Sequence, residues 1–530
     1  MVRNPYAWTK LANLVAVESP VGVGYSYCDE MLHGGACAND DVRTAETLHA
    51  AMQDFVANKF PELAEAPFYI SGESYAGVYC PTLAKAILDG NEDPTQTKIN
   101  LAGLAVGDPC TDNDSQADSM DMLWYGHKNG FVLDEDFDIL WNQCGMRYAH
   151  PLASGEWAVG EDGSVSAKGS SGANYAPVVT HRTVPRRGLL SGLSMPTNKA
   201  PSKQECDLAH RKFLLQTSKA FDQEWARGFI NDLTLYGPSA IVGSSQKGSL
   251  NYRIAHWMMS DEVRAALHVQ AAPQTAWPGP GAGWTYGSNY SACNADAHPG
   301  ARSMVDFYRD IAPRVAGSVL VFNGDTDPCV SYEGTRDAIQ NKVRKAWSRV
   351  VLQYRYITRR MRLTRDLRHP HVPGDMLANP RVKRRVSFAS SFRCADILDS
   401  LTPCLKVGFD LLEGGAWRPW FANWTAASRD FLDAKDLLFG PALTTQAAGP
   451  QLAGLTMDFD HGLSFATVHG SGHMVPQFRP RAAYRMMEGV LTGAPLAPLL
   501  PADAAIAAMS DAEWSDEMDK WTDVAKGASD

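Results

Sequence analysis

One junction constrains this chain more than anything else in it. Phe68-Tyr69-Ile70 reads as a short buried strand. It runs into Gly72-Glu73-Ser74-Tyr75-Ala76-Gly77, and Leu83, Ile87 and Leu88 then recur at helical spacing. A hydroxyl flanked by small residues on such a strand-turn-helix junction is presented at the carboxyl end of a strand. Other apolar runs at 13–18, 101–106, 318–322 and 463–468 predict further strands. Helical patterns at 41–59, 261–268 (opened by Ser260) and 481–491 alternate with them. That alternation predicts a mainly parallel α/β sheet, whose chemistry collects at the carboxyl ends of its strands. No internal repeat is present.

Composition narrows the function classes. The formal net charge is -10 over 530 residues, which argues against a general nucleic-acid binder. The total hides a split, because residues 342–393 carry 15 Lys and Arg against 2 acidic residues. No apolar run reaches the ~18 residues of a membrane span, and residues 1–6 lack the apolar stretch of a secretory signal. Ten cysteines without a C-x-x-C pair, and no H-E-x-x-H among the histidines, exclude the common zinc motifs. No metal and no cofactor is expected. Sequons at Asn113, Asn289 and Asn423, with the scattered cysteines, lean towards an oxidising, glycosylating compartment.

Three strand ends supply a catalytic set. Ser74 stands on the first; the strict G-x-S-x-G pattern is not met, since Ala76 takes the second Gly position and Gly77 follows. Asp325 and Asp327 follow the strand at 318–322, and His473 follows the strand at 463–468. The order Ser, Asp, His is that of the α/β-hydrolase architecture. A Ser hydroxyl is a weak nucleophile until an imidazole takes its proton, and a buried carboxylate fixes that imidazole's tautomer. The residues alone do not choose between Asp325 and Asp327.

The stretches Glu18-Ser-Pro-Val-Gly-Val-Gly-Tyr-Ser-Tyr27, Gly72-Glu-Ser-Tyr-Ala-Gly77, Gly324-Asp-Thr-Asp327 and Gly470-Ser-Gly-His-Met-Val-Pro476 resemble the serine carboxypeptidase family, as does Asn4-Pro-Tyr-Ala-Trp8. The resemblance covers most of the chain except about 150–200 and 342–405. It implies an α/β-hydrolase fold, a mainly parallel central sheet with a helical insertion domain, and release of C-terminal amino acids from peptides or proteins at acidic pH. Carried over, Ser74 is the nucleophile, His473 the general base and acid, and Asp327 the orienting carboxylate. The Tyr75 N–H is then an oxyanion donor, and Glu73 helps bind the substrate's terminal carboxylate. Such binding needs a proton on one of the two carboxyls and so favours low pH. Met474, where some relatives carry Glu, implies an apolar leaving residue.

The sequence also departs from the family. No counterpart of the Asn-Gly-Gly-Pro-Gly-Cys segment is present, so the expectation is a chain that starts downstream of it and lacks one oxyanion donor. Losing such a donor costs about 10²–10³ in turnover. Cys293 resembles the family cysteine whose partner lies in that segment and is expected to be unpaired; Cys144 with Cys206, and Cys28 with Cys37, are expected pairs.

The expected organisation is a first core part at 1–115, an insertion or cap domain at 116–255 with an irregular, disordered stretch at 150–200, and a second core part at 256–530 interrupted by the basic segment at 342–405. That segment reads as a solvated insertion or translated intron rather than a polyanion-binding arm. Trp417, Trp420 and Trp424 are expected in core packing. Peptide or protein substrates are the expected partners, with no nucleic acid; the oligomeric state is open, a homodimer included. The family resemblance implies a secretory, vacuolar, lysosomal or extracellular location. Competing readings are an acyltransferase on the same fold and an inactive or incomplete homologue.

Overall fold

The computed structural model describes residues 4–119, 121–146, 157–159, 165–167, 202–217, 250–281, 283–293, 301–340, 409–424 and 449–527. The expectations for 150–200 and 342–405 fall almost wholly outside these residues.

Among the described residues six strands form the central sheet: β1 (Phe68–Glu73), β2 (Leu101–Gly107), β3 (Val319–Gly324), β4 (Arg418–Trp424), β5 (Gly449–Asp458) and β6 (Leu463–Val468). Their spatial order is β1-β2-β3-β6-β5-β4. The first four in that order are parallel, and β5 and β4 continue the sheet antiparallel. This is the mainly parallel sheet of the α/β-hydrolase fold. All three strands that carry the expected catalytic residues, β1, β3 and β6, end on the same side.

The middle strands are buried on both faces, so their residues serve two cores. Leu104, Val106, Val319 and Val321 face one core with Leu83 and Ile87 of α2 (Ala76–Gly90) and Val305, Tyr308 and Ile311 of α3 (Met304–Ile311). Met52 of α1 (Asp41–Asp54) joins that side. The intervening residues Ala105, Leu320, Phe322, Ala466 and Val468 face the other core. There they meet Ala483, Met486 and Val490 of α4 (Pro480–Thr492) and Trp521 and Ala525 of α5 (Asp511–Gly527). Trp420 is fully buried in this second core, and Trp417 stacks on Phe465.

A smaller cluster of Leu123, Tyr125, Leu140, Trp141 and Phe213 joins residues 121–146 to the helix Lys203–Thr217. The Cys144–Cys206 disulfide ties the same two stretches, and Cys28 is bonded to Cys37.

Two expectations are corrected. Residues 13–18 form no strand; Leu14, Val15 and Val17 are exposed. An apolar, β-branched run becomes a strand only where a neighbour pairs with its backbone, and none of the described residues does so here. Cys293 is bonded to Cys110, with Cα atoms 4.9 Å apart. Cys110 follows β2, and the Asn113 N–H donates to the Ser291 carbonyl beside it (3.2 Å), which brings the two cysteines within bonding reach. Among the described residues no helix is long and apolar enough to cross a membrane.

Candidate active site

Ser74 caps β1 in a left-handed backbone conformation, with φ of 64°. Such a conformation costs a non-glycine residue about 1–3 kcal/mol and persists only where the surroundings enforce it. Here they do so through the backbone. The Ser74 N–H donates to the Gly107 carbonyl at the end of β2 (2.9 Å), while its carbonyl accepts from Gly77 (2.8 Å) and Cys110 (3.1 Å).

The small flanking residues are demanded by contact. A Cβ on Gly72 would meet the Ala76 methyl at 2.5 Å, and one on Gly77 would meet the Cys110 carbonyl oxygen at 2.5 Å. The close approach of helix to neighbouring loop thus falls at Gly77, one residue later than in G-x-S-x-G. Ala76 is tolerated because Gly72 leaves room for its methyl. The Tyr75 N–H lies at the start of α2, where helix donors have no acceptor within the helix. The Tyr75 hydroxyl donates to Asp41 Oδ1 (2.9 Å) and bonds Ser288 (2.9 Å), which anchors the ring away from the turn.

The loops after β3 and β6 are pressed together. A Cβ on Gly324 would meet the Ser471 and Gly472 carbonyls at 2.3 Å, so only glycine fits. Backbone bonds from Asp325 to Val468 (3.1 Å) and from Thr326 to Ser471 (3.0 Å) lock the two loops in register. Two Asp–His pairs result. His473 Nδ1 lies 2.7 Å from Asp327 Oδ2, with Asp327 buried completely and His473 almost so. His469 Nδ1 lies 2.8 Å from Asp325 Oδ2 near the surface, and Asp325 Oδ1 also accepts the Gly470 N–H (2.7 Å).

Electrostatics separate the groups. Burial works against charge on Asp327, but His473, the Cys329 N–H and the Asp108 side chain outweigh it and hold the carboxyl below its ordinary range. Burial likewise opposes charge on His473, and the Asp327 charge and hydrogen bond, with Glu73, lift it above its ordinary value. An ionised Asp327 therefore accepts from Nδ1–H and leaves Nε2 of His473 for proton transfer. Glu73, the last residue of β1, is pushed up to about 7. Burial is the main cause; His473 pulls it down, Asp327 pushes it up, and the Val475 N–H bonds it. Met474 is half-buried between His473 and the short helix Val475–Phe478.

The structure thus joins His473 to Asp327 rather than Asp325, and sets Glu73 and Tyr75 on either side of Ser74 in the chain. It also adds a residue that the sequence reading passed over. Asp108, directly after β2, is fully buried, and its Oδ1 accepts from Gly324 N–H (2.9 Å). Its signal was available: it stands at the carboxyl end of a strand already read as buried.

A family model described as serine carboxypeptidase matches residues 1–364 and 417–493. The match runs through 150–200 and breaks over a stretch overlapping the basic segment. Serine carboxypeptidase-like 21 of Arabidopsis thaliana is 24% identical over 506 residues, covering 92% of this chain and 77% of that protein. Serine carboxypeptidase 1 of Hordeum vulgare is 23% identical, covering 93% and 76%. The lysosomal protective protein of Mus musculus is 39% identical over 124 residues, covering 23% and 24%. Among solved structures, a prohormone-processing carboxypeptidase from Saccharomyces cerevisiae aligns at 16% identity and a TM-score of 0.45, covering 93% and 75%.

Proposed function

The chain belongs to the serine carboxypeptidase family, and from that premise we propose that it removes C-terminal residues from peptides through an acyl-enzyme on Ser74. The observation that carries this reading is the buried Asp327–His473 pair, bonded at 2.7 Å, on the same sheet end as the strained Ser74 turn.

In this reading His473 Nε2 takes the Ser74 hydroxyl proton as Oγ attacks the scissile carbonyl, while Nδ1–H stays on Asp327. The Tyr75 N–H is a donor to the oxyanion. The proton passes to the leaving amine, which departs as the free C-terminal amino acid. Water then repeats the sequence against the acyl ester and restores Ser74. Asp327 stays ionised throughout, supporting the imidazolium formed in each step.

Glu73 sets the working pH. Below its titration near 7 it holds a proton and donates it to the substrate's carboxylate. Above it, two carboxylates meet and binding weakens. Met474 sits next to the general base and selects an apolar leaving residue. The described part of the cap expected at 116–255, residues 121–146 and the helix Lys203–Thr217, is held together by the Cys144–Cys206 disulfide. Three disulfides among the described residues, and the lysosomal protective protein among the relatives, support an oxidising route to an acidic compartment.

Paired peptides test the reading: identical chains ending in a free carboxylate or an amide, with Leu or Lys last. At pH 5 the free-acid Leu peptide is expected to lose its last residue fastest and the amides to be poor substrates. Equal cleavage of amide and acid would remove the carboxypeptidase assignment. Faster release of Lys would remove the role given to Met474. Acyl transfer to an added alcohol at the expense of hydrolysis would reassign the chain as a transferase.

A further inference from the structure

Asp108 is unused by the triad as described, yet it is built into it. Its backbone is left-handed, with φ of 43°. Asp and Asn are the side chains that tolerate this best. Its N–H donates to the Phe322 carbonyl of β3 (2.7 Å), so the residue is pinned to the strand that leads to Asp327. Oδ1 accepts from the Gly324 N–H (2.9 Å) and faces Asn323 Nδ2 (3.4 Å). Oδ2 is buried and accepts no hydrogen bond from any described residue.

A bare carboxylate oxygen in that position is costly, whereas an O–H aimed at an acceptor is not. An acceptor is present. One carboxyl oxygen of Asp108, one of Asp327 and a ring nitrogen of His473 all lie within 4.8 Å of one another. Two carboxyls so close in a buried site cannot both carry charge. Asp327 holds the charge, because it faces His473 and accepts the Cys329 N–H at 2.8 Å. The shared proton is left to Asp108.

We propose that Asp108 is a positioning residue of the triad: as a neutral acid it donates its O–H to Asp327 and so fixes the carboxylate that orients His473. The groups that face it are the carboxyls of Asp327 and Glu73, the His473 imidazole, the Gly324 N–H and the Asn323 amide. Burial first, then the charges of Asp327 and Glu73, hold its carboxyl well above the usual range. The arrangement works while the proton remains. When rising pH removes it, the two carboxylates repel, Asp327 loses its donor, and turnover falls. This loss is separate from that at Glu73, which acts on substrate binding. It appears in kcat, whereas the Glu73 effect appears in KM.

The proposal rests on the peptidase reading for its kinetic arm only. In the full chain, kcat is measured against pH for wild type and Asp108→Asn. The amide suits the left-handed backbone and donates without a proton to lose. The alkaline fall in wild-type kcat is expected to move up by at least about one pH unit in Asp108→Asn. A residue with a merely structural role would leave that limb in place, and an unmoved limb overturns the proposal.

The second arm needs no turnover. At pH 8, above the Glu73 titration near 7, infrared difference spectra are expected to show a protonated carboxyl in wild type. The band is lost in Asp108→Asn. It is lost also in Asp327→Asn, which removes the neighbouring charge and lets Asp108 ionise. A band that survives in the variant that folds, or is absent from wild type, overturns the assignment. A chain with no peptidase activity would sink the reading of function without deciding this arm.

Discussion

The two Asp–His pairs are built from the same two loops and differ little in hydrogen-bond length, 2.7 Å for Asp327–His473 and 2.8 Å for Asp325–His469. They differ in burial. In the first, His473 and Asp327 side chains are 9% and 0% exposed; in the second, His469 and Asp325 are 63% and 25% exposed. A short Asp–His bond is therefore no mark of a catalytic pair. Solvent screens the outer pair, which serves to hold Gly470 and the turn of its loop. The inner pair works where charge is poorly screened, with the Asp108 carboxyl beside that of Asp327.

Substitutions that treat the pairs alike should have unlike effects. Asp327→Asn leaves His473 in the wrong tautomer and is expected to lower kcat by about 10⁴-fold. Asp325→Asn keeps an acceptor for Gly470 and is expected to cost less than about tenfold. Peptide turnover measured on both variants decides this, and equal losses would erase the distinction.

The next effect belongs to Glu73. Wild-type KM is expected to rise as pH passes through about 7, where the carboxyl loses its proton. In Glu73→Gln, KM should be nearly flat over the same range, since an amide donates at any pH. KM against pH for the two proteins measures it.

Stability gives the smallest effect. His473 and His469 both have raised pKa values. Each therefore supports the fold fully below the unfolded value of about 6.5 and loses that support as pH rises through its folded value. Asp327 is lowered, so its support is present above about 3.9 and is lost as pH falls through its folded value. The inner pair thus favours the fold from about pH 4 to above 6.5. The outer pair does so weakly, within the 0–1 kcal/mol of a screened surface pair. Between pH 6 and 8 the fall in Tm should be reduced more by His473→Gln than by His469→Gln. The reverse order would show that burial does not set the difference.

The sequence carried the inner framework because close contact leaves its mark on residue type. Gly72, Gly77 and Gly324 stand where any side chain would collide with backbone or a fixed methyl. The strands at β2, β3 and β6 were legible because burial on both faces forces continuous apolar runs. The run at 13–18 looked the same, but pairing depends on a neighbour that local sequence does not describe. β5 was missed, since Gly449, Pro450 and Gly454 give it little strand character. From residues alone Asp325 and Asp327 were equivalent; which one turns inward depends on how two loops pack. Asp108 escaped for a related reason, because a carboxyl's role as proton donor is decided by the carboxyl beside it.

The most direct test of the account is labelling of the full chain with a fluorophosphonate, with the modified residue identified by peptide mapping. Label is expected on Ser74, absent from Ser74→Ala, lost or strongly slowed in His473→Ala, and retained in His469→Ala. Label that persists in Ser74→Ala, or that depends on His469 rather than His473, would contradict it.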